Sequence, residues 1–530
     1  MNNAFILFTI KYSKYIMKPH IFGKGLDEIK KIIITNGDIN QVKKVKFGEV
    51  FTPFELIIEM LDTLPVSIWR NPNNKWLDPG SGIGNFSMAV FYYLDKGLKK
   101  WESNDEKRRN HIIKNMIHMV EISGTNVNKC KKIFGNNANI CKCDFIKDSS
   151  KWKEQFKNDR FNVILGNPPY NVNGMKGKGR TDTGGSVIWN KFVDNSLDIV
   201  AINGYCLFFT PNSWTELKSA LAKKIITKHI VLFKNFDVVN AYKLFDKQAG
   251  SLPLCYYLIK NSAPNNKTLI HDMNSDKFVE FDINKYMIIP NKNINLIKKI
   301  LTKNNDSLSE YFNFTPAKEK KDTTLYKSTY SPPYYYPLIN YVHKKIYISY
   351  AKECSVVQNT RPKLILPNYS MGYPILDTKG VLDVGGRTSY YIELPDNNIE
   401  KLKKIQAFFM TDLALTIINS LKTAQKFLST RTFEVFPDVT NFKFQINDES
   451  LAKYYNLNSE DKKSIVEQKQ NGEGNLSNAQ KEEMIKFSIS NIINKTHIKL
   501  LDSKIRSCKH KTKRRRGCKT NCNTRKNKNK

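Results

Sequence analysis

Short apolar runs alternate with amphipathic stretches from residue 47 to about residue 260. This alternation is typical of a parallel sheet with crossover helices and predicts an α/β domain. We predict strands at Trp76–Leu77, Ile117–Val120, Phe161–Leu165, Tyr205–Thr210, Ile230–Phe233 and Leu254–Ile259. Apolar residues recur at helical spacing over Pro53–Leu64 and Asn85–Leu94, and Val187–Val200 is a third predicted helix.

The pattern changes after a polar, Asn-rich segment at residues 262–275. The stretch from about 305 to 440 is dense in tyrosine, proline and lysine, with a strand at Lys363–Leu366, a Gly385-Gly386 turn and a helix from Ile399 to Leu421. It predicts a separate α+β domain.

The remainder of the chain reads as helix followed by a basic tail. Asn458 or Ser459 is a candidate N-cap before Glu460 and Asp461, and a flexible stretch is predicted at Gln470–Asn478. Residues 503–530 contain 13 Lys or Arg and no acid, which predicts a disordered basic arm. The predicted division is an N-terminal extension (1–46), an α/β domain (47–265), an α+β domain (305–445), a helical segment (446–502) and the tail (503–530).

Composition narrows the choice of partners. The 530 residues carry a net charge of +36, which favours a polyanionic partner such as nucleic acid or an anionic membrane surface. No apolar run reaches the roughly 18 residues of a membrane span, and no basic region precedes Ala4 to Ile10, so we expect neither a membrane protein nor a secretory signal. Nine scattered cysteines indicate a reducing, intracellular setting, and six of them are expected in the core or at strand ends: Cys130, Cys141, Cys143, Cys206, Cys255 and Cys354.

The first candidate site is the glycine-rich run Leu77–Phe86, in which Asp78 ends a strand and a helix follows. Gly80, Gly82 and Gly84 allow a tight turn against a ligand, which fits a nucleoside-containing cofactor, although the same pattern also occurs as a plain tight turn.

Two acids downstream complete the pattern. Glu121 follows a predicted strand and is placed to bind ribose hydroxyls, despite a charged insertion at residues 99–110 that lengthens the gap before it. Asp144 is a candidate acceptor from an adenine amino group, with Ile122 or Phe145 covering the ring; each acid alone also fits a solvated loop.

The most informative run is Asn167-Pro168-Pro169-Tyr170, directly after the predicted strand Phe161–Leu165. The two prolines fix the backbone so that the Asn167 carboxamide and the Pro168 carbonyl can both accept hydrogen bonds from one planar amino group. Tyr170 offers a face for stacking on a base or an amide. A rigid turn with a core tyrosine is the plainer alternative.

In this order the motifs resemble the N6-adenine DNA methyltransferases, in the branch of the Taq and Eco57I-type modification enzymes. Phe47–Pro53 resembles the segment that precedes the glycine-rich turn in that family, and Ile188–Phe192 through Pro211–Trp214 resembles its next helix and strand. The resemblance covers residues 47–260 well and 305–440 in outline.

The resemblance implies a Rossmann-like S-adenosylmethionine-dependent methyltransferase domain followed by an α+β target-recognition domain, with S-adenosyl-L-methionine as cofactor and duplex DNA as partner. A separate restriction endonuclease acting on the same site is a candidate second partner. The implied residues are, for catalysis, Asn167, Pro168, Pro169 and Tyr170; for the cofactor, Thr52, Asp78, Gly80, Gly82, Glu121, Ile122, Asp144 and Phe145; and for the extruded adenine, Tyr170 and Phe245. No metal ligand is predicted among them.

Further expectations concern the rest of the chain. Asn171–Ser186, with five glycines and three basic residues, is either a mobile loop over the extruded nucleotide or a surface insertion. Specificity is expected in the 305–440 region, where basic residues interleave with tyrosines, as at Arg361, Lys363, Arg387 and Arg431. Cys508, His510, Cys518 and Cys522 lack paired zinc-ligand spacing, so phosphate attraction is the simpler role of the tail.

Three alternatives stay open. The same motif serves amino-methyltransferases acting on RNA or on glutamine side chains of release factors, and the chain could also be an inactive DNA-binding derivative. In a fused restriction–modification enzyme a nuclease domain is expected, but the 46 residues before the first motif are too few for one. We therefore expect methylation without cleavage.

Overall fold

The computed structural model describes residues 19–37, 52–171, 187–245, 252–304, 306–314, 326–342, 345–355, 357–367, 374–384, 389–422, 432–470, 499–501 and 503–506. The chain divides into two compact units. The first comprises residues 1–272 and 276–289, and the second comprises residues 273–275 and 290–530.

The first unit is built on one nine-stranded sheet. Its strands are β1 Trp76–Asp78, β2 Ile117–Glu121, β3 Asn139–Lys142, β4 Phe161–Gly166, β5 Val200–Pro211, β6 His229–Phe236, β7 Leu254–Lys260, β8 Thr268–Asp272 and β9 Lys277–Phe281. They lie in the order 3-2-1-4-5-7-6-8-9. Strands β1 to β5 pair in parallel, and β7 is inserted antiparallel between β5 and β6. The chain order reverses between β1 and β4, which is where doubly wound sheets bind ligands. The predicted α/β class and all six predicted strands are confirmed.

Helices cover this sheet wherever the sequence carries an apolar stripe. They are α1 Leu26–Gly37, α2 Phe54–Asp62, α3 Asn85–Gly97, α4 Asp105–His111, α5 Gly124–Phe134, α6 Ser149–Phe156, α7 Trp189–Ile199, α8 Ala220–Ile226, α9 Val238–Leu244 and α10 Ile283–Tyr286. The three predicted helices correspond to α2, α3 and α7. In α2 the buried face consists of Phe54, Leu56, Ile57, Met60 and Leu61, a spacing that matches one side of a helix.

The charged insertion before β2 folds as α4 and a π-helix at Ile112–Met116. Its central residue, Arg108, is fully buried and donates from Nε to Asp95 Oδ1 on α3 at 2.8 Å. A second guanidinium nitrogen donates to the Glu102 carbonyl at 2.8 Å. The insertion is therefore an ordered addition to the sheet, and β2 still ends at Glu121.

The polar segment at residues 262–275 does not end the sheet, contrary to the sequence-based boundary. Thr268–Asp272 is β8, which pairs in parallel with β6, and β9 adds an antiparallel edge. The β9 strand is largely exposed except at Phe281. Its sequence therefore lacks the continuous apolar run that marks a central strand.

The second unit holds two four-stranded sheets. The first has the order β10-β17-β14-β15 and consists of Phe312–Phe314, Ser389–Ile392, Lys363–Pro367 and Ile375–Asp377. The second has the order β11-β13-β12-β16 and consists of Tyr326–Lys327, Lys345–Ala351, Tyr336–Val342 and Asp383–Val384. The predicted strand at Lys363–Leu366 is confirmed as β14.

Six described helices complete the second unit: α11 Ile294–Lys303, α12 Ile399–Phe409, α13 Asp412–Leu421, α14 Thr432–Val435, α15 Asp448–Tyr454 and α16 Ser459–Gln470. The single helix predicted from Ile399 to Leu421 is wrong, because Thr411 interrupts it and caps α13 through its side chain. Asn458 caps α16, and its side chain accepts from the Asp461 N–H at 2.8 Å.

Five of the six cysteines expected in the core are buried, and Cys354 is half-buried; all six are free thiols. Within the described ranges no helix is long and apolar enough to cross a bilayer, and the same residues contain no cluster of three or more potential metal ligands.

Candidate functional site

A cavity of about 370 Å³ opens in the first unit at the carboxyl ends of β1, β2 and β4. Twelve of the thirteen residues proposed from the sequence line it, drawn from segments more than a hundred residues apart: Thr52, Asp78, Gly80, Gly82, Glu121, Ile122, Asp144, Phe145, Asn167, Pro168, Pro169 and Tyr170. All of them except Thr52 lie at or after the carboxyl ends of the parallel strands β1 to β4, as expected at a switch point.

The glycine-rich turn forms one wall of the cavity. Gly82 and Gly84 have φ values of +56° and +89°, which side chains with a Cβ rarely adopt. A Cβ on Gly84 would also lie 2.9 Å from the Phe134 ring on α5. The turn is therefore specific to glycine at these positions, and it leads directly into α3.

The carboxylate of Glu121 fastens this turn to the end of β2. Its Oε2 accepts from the Gly82 N–H at 2.8 Å, and its Oε1 accepts from the Ser123 N–H at 2.7 Å. Glu121 is buried and still lines the cavity. It thus orders the turn and presents an acid to whatever occupies the space beside it.

A second acid, Asp78, lies deeper in the same wall. Burial raises the pKa of its carboxyl from 3.8 to about 8, a bond from the Gly80 N–H works against this shift, and the charge of Glu121 adds to it. Gly166 passes close to this carboxyl, since a Cβ there would lie 3.1 Å from Asp78 Oδ1. Two acids held this close together favour a cationic ligand.

Asp144, Phe145 and Ile122 line another part of the cavity. Asp144 Oδ1 accepts from the N–H groups of Ile146 and Lys147, which fixes the loop after β3. Phe145 stacks between Trp152 and Phe192 with ring centroids 5.6 and 5.5 Å away. Ile122, by contrast, is 58% exposed, so an apolar side chain is available there to cover a flat ring.

The Asn167 carboxamide is oriented by a residue 115 positions earlier in the chain. Asn167 follows β4 directly, and its Nδ2 donates to the Thr52 hydroxyl at 3.1 Å. Thr52 is itself buried and immediately precedes α2. That helix is held to the sheet through Glu59, whose Oε1 accepts from the Tyr256 hydroxyl at 2.8 Å and from Lys234 Nζ at 2.6 Å. This arrangement turns the acceptor oxygen of the amide away from Thr52.

Pro168, Pro169 and Tyr170 continue this wall. Tyr170 is 9% exposed, and burial raises the pKa of its hydroxyl well above the ordinary value, so the phenol stays neutral. Beyond it, Asn171 and Val187 form an antiparallel bridge. The predicted loop therefore starts and returns at the cavity rim, while residues 172–186 lie outside the described residues.

Phe245 is the one proposed site residue that the structure does not bring to the cavity. It is 5% exposed, and its ring packs on Phe209 with centroids 5.4 Å apart. The resemblance to the family implied a place for Phe245 beside the extruded base, but its ring packs in the core at the end of α9 instead. The following residues, 246–251, lie outside the described residues.

The cavity also contains residues that the sequence-based list omitted. Lys147 and Lys191 are two cationic residues at the cavity, and Phe192 supports Phe145 from α7. Lys191 and Phe192 belong to the segment Ile188–Phe192. The resemblance of this segment to the family is the sequence feature that could have identified them as cavity residues. Ser81 and Asn85 line the cavity as well and are buried.

Two basic residues expected to contact DNA in the second unit are engaged within the protein. Lys363 is fully buried, its pKa is lowered by burial, and its Nζ contacts the Val357 carbonyl and Glu393. Arg361 donates to Asn397 Oδ1 at 2.8 Å and to the Leu394 carbonyl at 3.0 Å. The expected role of Lys363 is therefore wrong, because its ammonium cannot reach a ligand at the surface. Arg387, Arg431 and the cysteines of the tail lie outside the described residues.

Comparison with known proteins supports the resemblance drawn from the motifs. Residues 60–245 match the model of the Eco57I restriction-modification methylase family. A curated relative from Mycoplasma pneumoniae (strain ATCC 29342 / M129 / Subtype 1), described as an uncharacterized adenine-specific methylase, is 25% identical over 48% of this chain and 78% of its own length. These two matches confirm the predicted resemblance to adenine-specific methyltransferases of restriction–modification systems.

The solved structures that the chain matches include the M protein of the type I restriction enzyme EcoKI, at 13% identity and a TM-score of 0.32, covering 42% of this chain and 48% of that one. A class I S-adenosylmethionine-dependent methyltransferase from Listeria monocytogenes shows 14% identity and a TM-score of 0.31, covering 47% of this chain and 74% of that one. The chain thus spans about half the length of the EcoKI protein.

Proposed function

Since residues 60–245 match a restriction-modification methylase family, we propose that this chain is a site-specific DNA adenine methyltransferase. It transfers a methyl group from S-adenosylmethionine to the N6 amino group of an adenine extruded from duplex DNA. The observation that carries the proposal is the placement of the Asn167 carboxamide beside the glycine-rich turn, with its donor end bound by Thr52.

The cavity residues fit the proposed cofactor. Asp78 offers a buried acid to a ligand that carries a sulfonium and an ammonium group, and the Glu121 carboxylate is placed to accept from its ribose hydroxyls. Ile122 offers exposed apolar surface to a purine ring, and Phe145 and Asp144 line the same cavity. When bound, S-adenosylmethionine supplies an electrophilic methyl group.

The chain's own contribution to the reaction is positioning. Asn167 Oδ1 and the Pro168 carbonyl would each accept a hydrogen bond from the adenine amino group, which directs the nitrogen lone pair toward the methyl donor. Such acceptors also stabilise the positive charge that develops on N6. Tyr170 would stack on the extruded base and replace part of the stacking lost from the duplex.

Nucleophilic catalysis by cysteine is not part of this proposal. Cys143 lines the cavity, but burial raises the pKa of its thiol to about 12, with its neighbour Cys141 adding to the shift. A thiol with that pKa is protonated at neutral pH and is a poor nucleophile. An amino group that attacks the methyl donor directly requires no covalent enzyme intermediate.

The proposal extends to the rest of the chain. The second unit would recognise the DNA site, and a separate restriction endonuclease acting on that site would be the second partner. RNA and release-factor glutamine remain the competing substrates, because each presents the same planar amino group.

A substrate comparison tests the proposal. Purified protein with labelled S-adenosylmethionine would be given unmethylated duplex DNA, structured RNA or a release factor, and the DNA product would be digested for nucleoside analysis. We expect N6-methyladenine from duplex DNA at a rate at least tenfold above the other substrates. Label transfer to RNA or to glutamine, with none to DNA, would replace DNA with that substrate.

A further inference from the structure

One segment of the second unit combines many tyrosines with several lysines. Residues 326–352 contain eight Tyr, four Lys and neither Asp nor Glu. They form β11 and the β12–β13 hairpin, in which Tyr336 pairs with Ala351 and Val342 with Lys345. The charge of this hairpin is therefore not neutralised by acids of its own sequence.

Two lysines of this segment, and one from near the end of the described chain, lie against tyrosine rings. Lys327 Nζ lies 4.9 Å and Lys352 Nζ 5.1 Å from the centroid of the Tyr334 ring. Lys504 Nζ, from the end of the described chain, lies 4.0 Å from the Tyr335 centroid. Ring contact holds an ammonium group in place without neutralising its charge. We refer to the residues of this cluster as the lysine–tyrosine surface: Lys327, Tyr330, Tyr334, Tyr335, Tyr350, Lys352 and Lys504.

The sheet gives this surface a defined side. Successive side chains of a strand point to opposite faces of the sheet, so Tyr350 and Ala351 lie on opposite faces. Ala351 belongs to the buried core cluster of this sheet. Tyr350 instead meets the 40% exposed Tyr330, with centroids 5.7 Å apart, and Tyr330 contacts Tyr335 at 6.3 Å. Tyr330, Tyr335 and Tyr350 thus contact one another in one cluster, in which Tyr335 also packs against the core.

The root of the basic tail is attached to the same sheet. Leu501 and Ile505 are fully buried in the core cluster, together with Ile339 and Val357. They fix the segment that carries Lys504, and after Arg506 the sequence continues with 11 Lys or Arg and no acid in residues 507–530. The most basic part of the sequence therefore follows directly, along the chain, after a segment that is anchored in the core of this sheet.

We propose that the lysine–tyrosine surface binds the sugar-phosphate backbone of duplex DNA; the choice of DNA rests on the proposed function. Lysine ammonium groups and tyrosine hydroxyls are donors to phosphate oxygens, and tyrosine rings pack on sugars. Tyrosine rather than leucine or tryptophan at the exposed positions fits this backbone better than a bilayer, which would need apolar side chains for insertion.

The test compares the salt dependence of DNA binding among three sets of full-length variants. The first removes the charge at the surface (Lys327→Ala, Lys352→Ala and Lys504→Ala together). The second keeps it with Lys→Arg at the same three positions. The third removes three exposed lysines elsewhere in the same unit (Lys443→Ala, Lys453→Ala and Lys462→Ala). Fluorescence anisotropy with a labelled unmethylated duplex gives the slope of log affinity against log salt for each.

The alanine set at the surface should reduce that slope by about 2 to 3, since each phosphate contact contributes roughly 0.9. The arginine set and the remote set should keep slopes close to that of the wild type. Equal slopes for the two alanine sets would overturn the inference while leaving the methyltransferase proposal intact. A wild-type protein that binds RNA and not duplex DNA would overturn both, and methyl transfer to the duplex distinguishes the two failures.

Discussion

A carboxamide has an acceptor end and a donor end of nearly the same shape, so a catalytic asparagine needs a neighbour that distinguishes them. Thr52 does this in the present structure, since its hydroxyl accepts from Asn167 Nδ2. The oxygen of Asn167 is then the end directed away from Thr52. We accordingly interpret Thr52 as a positioning residue, in addition to its predicted contact with the cofactor.

Replacing Thr52 by valine should slow methyl transfer by a larger factor than it weakens cofactor binding. Valine has the same shape but no hydroxyl, so the buried amide loses its partner and the acceptor end is no longer specified. A lost buried hydrogen bond costs about 1 to 3 kcal/mol, which corresponds to a kcat reduced roughly 5- to 150-fold. Single-turnover rates and calorimetric cofactor affinity measure the two effects separately.

The matched control is Thr52→Ser, which keeps the hydroxyl and should retain most of the rate. A Thr52→Val protein with a normal single-turnover rate and a weakened cofactor affinity would show that Thr52 only binds the cofactor.

The buried Asp78 carboxyl should make the cofactor-free protein less stable as pH rises. Its pKa is about 8 in the fold, against an ordinary value of 3.8. The folded state therefore binds the extra proton between these values, and stability falls as pH rises from about 4 to about 8 and is level above that range. Each pH unit in this window costs at most about 1.4 kcal/mol.

Asp78→Asn removes this dependence. In thermal unfolding from pH 5 to pH 9, the Tm of the variant minus the Tm of the wild type should increase as pH rises. The cofactor affinity of the variant should be reduced. Parallel Tm curves for the two proteins would contradict the raised pKa.

The sequence predicts the site residues that directly follow strands. It does not predict positions that depend on the direction in which a side chain points. The Asn167 motif and the two acids could be predicted because the carboxyl ends of parallel strands share one edge. The contact between Thr52 and Asn167 joins residues 115 apart, and no local pattern encodes it. Phe245 and Lys363 were misplaced for the same reason, since a charged or aromatic residue in a mixed pattern can point inward.

Among the strands, those that are buried along their length were predictable, and the half-exposed strands at the edges of the sheet were not. β5 and β7 are buried over most of their length and read clearly in the sequence. β3 spans only Asn139–Lys142 and ends in polar residues, and β9 exposes Lys277 and Phe278. These edge strands have one face in solvent, so only the positions on the other face are apolar. Their sequences therefore lack the continuous apolar run of a buried strand.

The inserted helix α4 depends on Arg108, and removing this side chain should destabilise the first unit. Arg108→Ala would leave Asp95 buried without its closest partner, at a cost of about 3 kcal/mol. Arg109 also contacts Asp95 Oδ2, at 3.0 Å, but is less buried. Arg109→Ala is therefore the control, with an expected loss near 1 kcal/mol. Urea unfolding followed by tryptophan fluorescence measures both, and equal losses would contradict a central role for Arg108.

In the whole molecule, the net positive charge and the boundary between the two units depend on different parts of the chain. The net charge of +36 predicted a polyanionic partner, and the structure locates part of that charge on the lysine–tyrosine surface of the second unit. The boundary between the units lies near residues 272–290, beyond the end of the predicted catalytic domain, because two strands of the first sheet lie within polar sequence. Assignment of recognition to the second unit stays a prediction.

The central claim is that Asn167 holds the adenine amino group for methyl transfer. The most direct test incubates wild-type and Asn167→Ala protein with labelled S-adenosylmethionine and unmethylated duplex DNA, and measures cofactor affinity in parallel. We predict N6-methyladenine from the wild type, and in the variant an unchanged cofactor affinity with transfer reduced at least about 100-fold, as for removal of one transition-state hydrogen bond. Transfer by Asn167→Ala at the wild-type rate would contradict the account.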